Sequence, residues 1–161
     1  MKLHDFERKL YRLKVVRGIA LPDANVYTYI QAIDFSALVQ KITSQSRSLG
    51  HHVWTREAAD LAVELYRNYL HILRKYGENF AHLPPSEGID FIWHCHILDT
   101  VKYSEDCIAI FGTALHHYPY FGMRFEGDEE ILDRAFGITQ SLHQKEFGFE
   151  IPSFELIGNS Q

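Results

Sequence analysis

Thr55-Arg56-Glu57-Ala58-Ala59-Asp60-Leu61-Ala62-Val63-Glu64-Leu65-Tyr66-Arg67-Asn68-Tyr69-Leu70-His71-Ile72-Leu73-Arg74-Lys75 is the longest stretch of the chain that reads as a single element. Ala58, Leu61, Ala62, Leu65, Tyr69, Ile72 and Leu73 recur at three- and four-residue spacing. That spacing predicts a helix from Arg56 to Lys75 with one apolar stripe. Thr55 has the side-chain oxygen needed to cap its first turn. Gly77, after Tyr76, suits the left-handed position that ends many helices. Glu64 and Arg67, three apart, are expected to support the exposed face. His71, near the end, complements the helix dipole.

Toward the N-terminus, Leu3, Phe6, Leu10, Leu13 and Val16 predict a short amphipathic helix ending near Gly18. Pro22-Asp23 marks a turn. Residues 24–33 read as helix or as extended chain, because Val26, Tyr27, Tyr29 and Ile30 are β-branched or aromatic. Asp34 is placed to cap a helix through Phe35, Leu38, Val39 and Ile42. His51-His52-Val53-Trp54 reads as a loop anchored by Trp54.

Toward the C-terminus, Pro84-Pro85-Ser86-Glu87-Gly88 is a turn, with Ser86 as cap of a helix from Glu87 to Asp99. A second helix, Thr100 to Phe111, ends at Gly112. An aromatic loop follows, and Asp128 is expected to cap a last helix from Glu129 to Phe147, closed by Gly148. The fold expected is all-α: one domain over residues 1–161, a bundle of about six helices around an aromatic-rich core.

Composition narrows the function. At 161 residues the chain can bury a sizeable core. A formal net charge of −5 argues against a general binder of the phosphate backbone, so nucleic acid is not an expected partner. A basic group (Arg8, Lys9, Arg12, Lys14, Arg17) reads as the solvated side of the first helix. The charged start Met1-Lys2-Leu3-His4-Asp5 has no apolar leader region, and no run approaches the ~20 apolar residues of a membrane span. A cytoplasmic protein without a membrane partner is expected. Two cysteines, Cys95 and Cys107, make no disulfide framework and are expected reduced.

The chemistry is concentrated in Asp90-Phe91-Ile92-Trp93-His94-Cys95-His96-Ile97-Leu98-Asp99-Thr100. At ~100° per residue, Asp90 and His94 share a helix face with Trp93, Ile97 and Val101, expected to be the apolar side. His96, Asp99 and Tyr103 fall on another face, and Cys95 lies away from both. The two histidines, two residues apart, cannot readily share one metal on a regular helix. Two pairs are expected: Asp90 with His94, and His96 with Asp99, the second partly exposed. Leu115-His116-His117-Tyr118-Pro119-Tyr120 follows a helix of only about twelve residues. A hairpin of that size can return the loop over the first helix.

These residues carry a resemblance. Ile89 to Thr100, then Tyr103, Cys107, Phe111-Gly112, Leu115, His116-His117 and Pro119, resemble the signature D-x-x-W-H-x-H-x-L-D followed by Y, C, F-G and a later H. That is the signature of the glycine-rich domain-containing protein-like family of plants, fungi and bacteria. The match is close from Pro84 to Tyr120. The chain lacks the glycine-rich tail of the plant members, so the resemblance implies a minimal, stand-alone version. It implies no particular reaction.

Three functions fit these residues. In the first, Asp90, His94 and one of His116 or His117 hold a divalent metal, Zn²⁺ or Fe²⁺, beside a pocket containing Trp93, His96, Asp99, Tyr103 and Tyr118. H-x-H on a helix is not the H-E-x-x-H pattern, in which both histidines share a face. In the second, Asp90 orients His94 as a metal-free general base on a small-molecule substrate. In the third, the histidines and carboxylates form a buried hydrogen-bond network, and a surface around Tyr118, Tyr120 and Phe121 binds a protein partner.

Overall fold

The computed structural model describes residues 18–44 and 53–153. The helix expected over 2–16, its basic group and the His51-His52 pair lie outside the described residues. Among the described residues the chain forms α1 (Asp23–Ala32), α2 (Ser36–Thr43), α3 (Arg56–Tyr76), α4 (Glu87–Leu98), α5 (Thr100–Phe111) and α6 (Asp128–Phe147). They contain no strand, and the fold is all-α. The ambiguous segment 24–33 is helical: Val26 and Ile30, one turn apart, both enter the core, so packing overrides the β-leaning composition.

α3 is the centre, with α1, α2, α4 and α6 packed against it. It buries Ala59, Ala62, Val63, Leu65, Tyr66, Tyr69, Leu70 and Ile72, a far wider face than one stripe. Leu61, expected in that stripe, lies at its rim and is exposed. Fully burying side chains of this size contributes about 1.5–3 kcal/mol each. Two buried tyrosines need partners for their hydroxyls, and both partners lie on or beside α4. Tyr66 Oη meets His96 Nδ1 at 2.9 Å, and Tyr69 Oη donates to the Leu83 carbonyl at 2.6 Å. The aromatic core is thus polar at its edge, facing the site.

Capping follows the sequence at most ends. Thr55 Oγ1 accepts from the Ala58 amide at 3.2 Å, Ser86 Oγ from Ile89 at 3.4 Å, and Asp34 Oδ1 from Ser36 at 2.8 Å. Gly112 and Gly148 end their helices in left-handed conformation, with φ of 73° and 82°. Gly77 departs from its expected role. Its φ is −58°, and the chain continues into a 3-10 turn, Gly77–Asn79. Arg67 also departs: its Nη2 donates to the Ile33 carbonyl at 2.8 Å, tying α3 to the end of α1 instead of supporting an exposed face. His71 packs edge-on against Tyr27 and Phe147.

Trp54 is buried and stacks on Phe91 of α4 at 4.9 Å, so the loop before α3 is anchored as its tryptophan suggests. A single residue, Asp99, separates α4 from α5. No helix among the described residues is long and apolar enough to cross a membrane.

Candidate metal centre

Asp90 and His94 lie one turn apart on α4. His117 reaches them from the loop after α5. His117 Nε2 is 2.7 Å from Asp90 Oδ1 and 3.2 Å from His94 Nε2, and His94 Nε2 is 3.6 Å from Asp90 Oδ2. One ligand atom from each residue falls within 4.8 Å of the other two, so the group could hold a metal ion. The site is at the surface: side-chain exposure is 36% for Asp90, 51% for His94 and 14% for His117.

Protons alone serve this triangle poorly. His117 Nε2 lies on two of its edges but carries either one hydrogen or one lone pair. If it donates to Asp90, its edge to His94 survives only by sharing the same hydrogen. A cation at the centre accepts from all three atoms at once. Tetrahedral bonds of about 2.0–2.1 Å place neighbouring ligand atoms about 3.3 Å apart, near the 3.2 Å between the imidazoles, while His117 and Asp90, at 2.7 Å, stand at hydrogen-bond distance.

The loop that delivers His117 is pinned on both sides. Trp93 Nε1 donates to Tyr103 Oη at 3.0 Å, and that hydroxyl donates to the Leu115 carbonyl at 2.6 Å. Leu115, two residues before His117, is thereby held against α4 and α5. Beyond His117, the Asp128 carboxylate accepts from the amides of Gly122 (2.8 Å) and Arg124 (3.0 Å) and from Arg124 Nε and Nη2 (2.9 and 2.6 Å). Those bonds, from Arg124 first, hold the Asp128 carboxyl far below the usual carboxylate range. Asp128 is the first residue of α6, and its side chain anchors the preceding loop instead of serving as N-cap. Gly122 requires its lack of side chain: φ is 94°, and an added Cβ would lie 2.8 Å from Leu132. Trp93 packs its ring edge-on to His117 at 4.5 Å.

The inward face of α4 keeps Trp93 as expected but exchanges the two histidines. His96, not His94, enters the core, at 2% exposure. It does not pair with Asp99, which is exposed. Its Nδ1 faces Tyr66 Oη, and its Nε2 lies 3.0 Å from Asp106 Oδ2 on α5. Asp106 also accepts from Tyr29 Oη at 2.6 Å and from Lys102 Nζ at 3.1 Å. Burial raises the Asp106 carboxyl pKa, but the donors His96, Tyr29 and Lys102 outweigh it and leave the pKa below its ordinary value. Val101, expected beside Asp90 and His94, is exposed.

The cluster opens on a cavity of about 420 Å³. Trp93, Tyr118 and His116 line it, as do His82 and Glu87. His116 is exposed and stands outside the three-atom cluster. His96, Asp99 and Tyr103 do not line this cavity. Tyr103 acts on the site by holding Leu115 and Trp93. Cys95 and Cys107 are free thiols outside the cluster, and burial raises the pKa of both. Asp106, Tyr29 and Tyr66 had no place in the sequence reading of the site. The one local sign of Asp106 was its four-residue spacing from Lys102.

Fold and site together define an all-α protein that carries two imidazoles and one carboxylate at the mouth of a cavity. The chain belongs to the UCP032817-like family, whose model matches residues 26–142. That span contains the whole cluster and both elements that pin it. The chain is similar to glycine-rich domain-containing protein 1 of Arabidopsis thaliana, 29% identical over 89 residues, which cover 54% of this chain and 11% of that protein. It is likewise 30% identical over 89 residues to glycine-rich domain-containing protein 2 of the same plant, with the same coverage. The chain thus spans about a tenth of the length of these curated relatives. The resemblance to a glycine-rich domain-containing family is shown by these matches. No solved structure matches significantly.

Proposed function

We propose that this protein binds one divalent metal ion, Zn²⁺ or Fe²⁺, through Asp90, His94 and His117, and uses the remaining coordination positions on a small molecule in the adjoining cavity. The observation that carries the reading is the convergence of two imidazoles on one carboxylate: His117 Nε2 lies 3.2 Å from His94 Nε2 and 2.7 Å from Asp90 Oδ1, and His94 Nε2 lies 3.6 Å from Asp90 Oδ2. Two imidazoles and a carboxylate are the donor set of open zinc hydrolase sites and of non-haem iron oxygenase sites. A closed structural zinc site would need a fourth protein ligand, and neither cysteine belongs to the cluster. Protons compete with the metal for the carboxylate and imidazoles, so binding weakens as pH falls.

The test is calorimetric titration of Zn²⁺ into chelator-treated protein. Wild type is expected to take up one equivalent. His94→Ala and His117→Ala lose the high-affinity phase, and His116→Ala keeps it. Equal binding by wild type and His117→Ala refutes the site.

A second reading has its own observation. Tyr118, Tyr120, Met123 and Phe125 are all exposed within one short loop. Apolar groups gathered in this way mark protein-binding surfaces. On that reading the loop docks a protein partner. Phe125→Ser with Tyr120→Ser then abolishes a partner interaction while leaving metal uptake intact.

A further inference from the structure

The cavity beside the cluster has a composition that selects its ligand. Its walls are proline and aromatic surfaces: Pro84, Pro85 and Pro119 with Tyr118 and Phe121. Proline rings are stiff and aromatic faces are flat, and together they favour a flat apolar body between them. At about 420 Å³ the space lies within the ordinary range for small-molecule sites.

Charge narrows the choice further. Among the described residues no lysine or arginine lines the cavity. The nearby guanidinium, on Arg124, stacks over Phe121 at 4.6 Å, but its Nε and Nη2 are already committed to Asp128. The lining carboxylates are Asp90 and Glu87. A divalent ion with Asp90 as its anionic ligand leaves one positive charge for a ligand, and Glu87 opposes even that. Phosphate monoesters carry close to two negative charges and are usually met by arginine, lysine or helix amides. Among the described lining residues neither arginine nor lysine plays that part, and at the first turn of α4 Glu87 sets a carboxylate beside the cavity while Ser86 already takes the Ile89 amide. A monoanionic head satisfies the metal without leaving a second charge unpaired.

We propose that the cavity takes a small molecule with a flat apolar ring and a single monoanionic metal-binding head, such as an aromatic carboxylate or hydroxamate, and rejects phosphate monoesters. The inference rests on the metal reading of Asp90, His94 and His117. The head occupies the open metal positions, and the ring lies between the prolines and Phe121.

The experiment loads the full chain with Co²⁺ and follows the visible d–d bands. Three probes separate head from body: benzohydroxamate, acetohydroxamate and phenyl phosphate. Benzohydroxamate is expected to shift the bands and to bind at least about tenfold more tightly than acetohydroxamate, because only it buries a ring. Phenyl phosphate, with the same ring and a dianionic head, is expected to bind at least about tenfold more weakly than benzohydroxamate. Phe121→Ala is expected to collapse the preference between the two hydroxamates. Tight binding of phenyl phosphate overturns the proposal, as does equal binding of the two hydroxamates. Failure of Co²⁺ to give any d–d bands has a different meaning: it removes the metal site itself, and this ligand class with it.

Discussion

Asp106→Ala is the most informative single change for the fold. Asp106 is 4% exposed and holds together three elements: Tyr29 from α1, His96 from α4 and Lys102 from its own α5. Truncation leaves the Tyr29 hydroxyl and a His96 ring nitrogen without their acceptor, and it strands the Lys102 charge beside Phe35, whose ring lies 5.7 Å from Nζ. A buried donor left unsatisfied costs about 1–3 kcal/mol, so loss of the acceptor shared by Tyr29 and His96 is expected to cost roughly 3–5 kcal/mol. For a chain of this length each kcal/mol moves the melting temperature by roughly 2–4 °C. A fall of about 10 °C is therefore expected by calorimetry or circular dichroism. The control is Asp60→Ala, which breaks the exposed Arg56–Asp60 pair at 2.8 Å. Exposed pairs of that kind contribute little, so its midpoint should barely move. The two variants melting at the same temperature would refute the reasoning. The pH dependence has a fixed sign. The folded carboxyl of Asp106 has a depressed pKa, so its contribution is fully present above the ordinary carboxylate value of about 4 and is lost as pH falls below it.

Other expected outcomes follow from the same geometry. Tyr103→Phe removes the donor to the Leu115 carbonyl and should cost about 1 kcal/mol in urea titrations, with a weaker Zn²⁺ affinity because His117 loses its anchor. Asp128→Asn should also weaken Zn²⁺ binding without removing a ligand, since it loosens Gly122 and Arg124 beyond His117; unchanged affinity would show that the loop needs no such clamp. His143, buried against Phe147 and Phe149, hydrogen-bonds the Phe149 carbonyl at 2.7 Å and Asn68 at 3.2 Å, and burial lowers its pKa. The unfolded chain takes up that proton near pH 6.5, so stability should fall as pH drops below this value, and His143→Gln should flatten the slope of urea midpoint against pH.

The helices were legible because their signals are local. Thr55 and Ser86 accept the amide bonds that their positions predict, and the spacing of Leu65, Tyr69 and Ile72 marks a buried face. The orientation of α4 was not legible. Phe91, Ile92, Trp93, Ile97 and Leu98 surround that helix with apolar residues, so periodicity names no single inward face. The partner that draws His96 inward, Asp106, sits on the next helix, and its position depends on the turn at Asp99. Sequence could narrow the second histidine of the cluster to His116 or His117 but not choose between them. The choice is made by Tyr103 fixing Leu115 and by Asp128 fixing Gly122, two tertiary contacts that together orient the loop. Gly77 shows the same limit on a smaller scale. A glycine after a helix permits a left-handed residue without requiring one, and here the chain continues in a tighter turn.

The most direct measurement of the central claim is metal content by ICP-MS on tag-free protein purified without chelators, wild type beside His117→Ala and His116→Ala. Zinc or iron near one equivalent in wild type and His116→Ala, and a loss of at least about tenfold in His117→Ala, is the result predicted. No bound metal in wild type, even after zinc and iron are offered back, would contradict it and leave Asp90, His94 and His117 as a surface hydrogen-bond cluster.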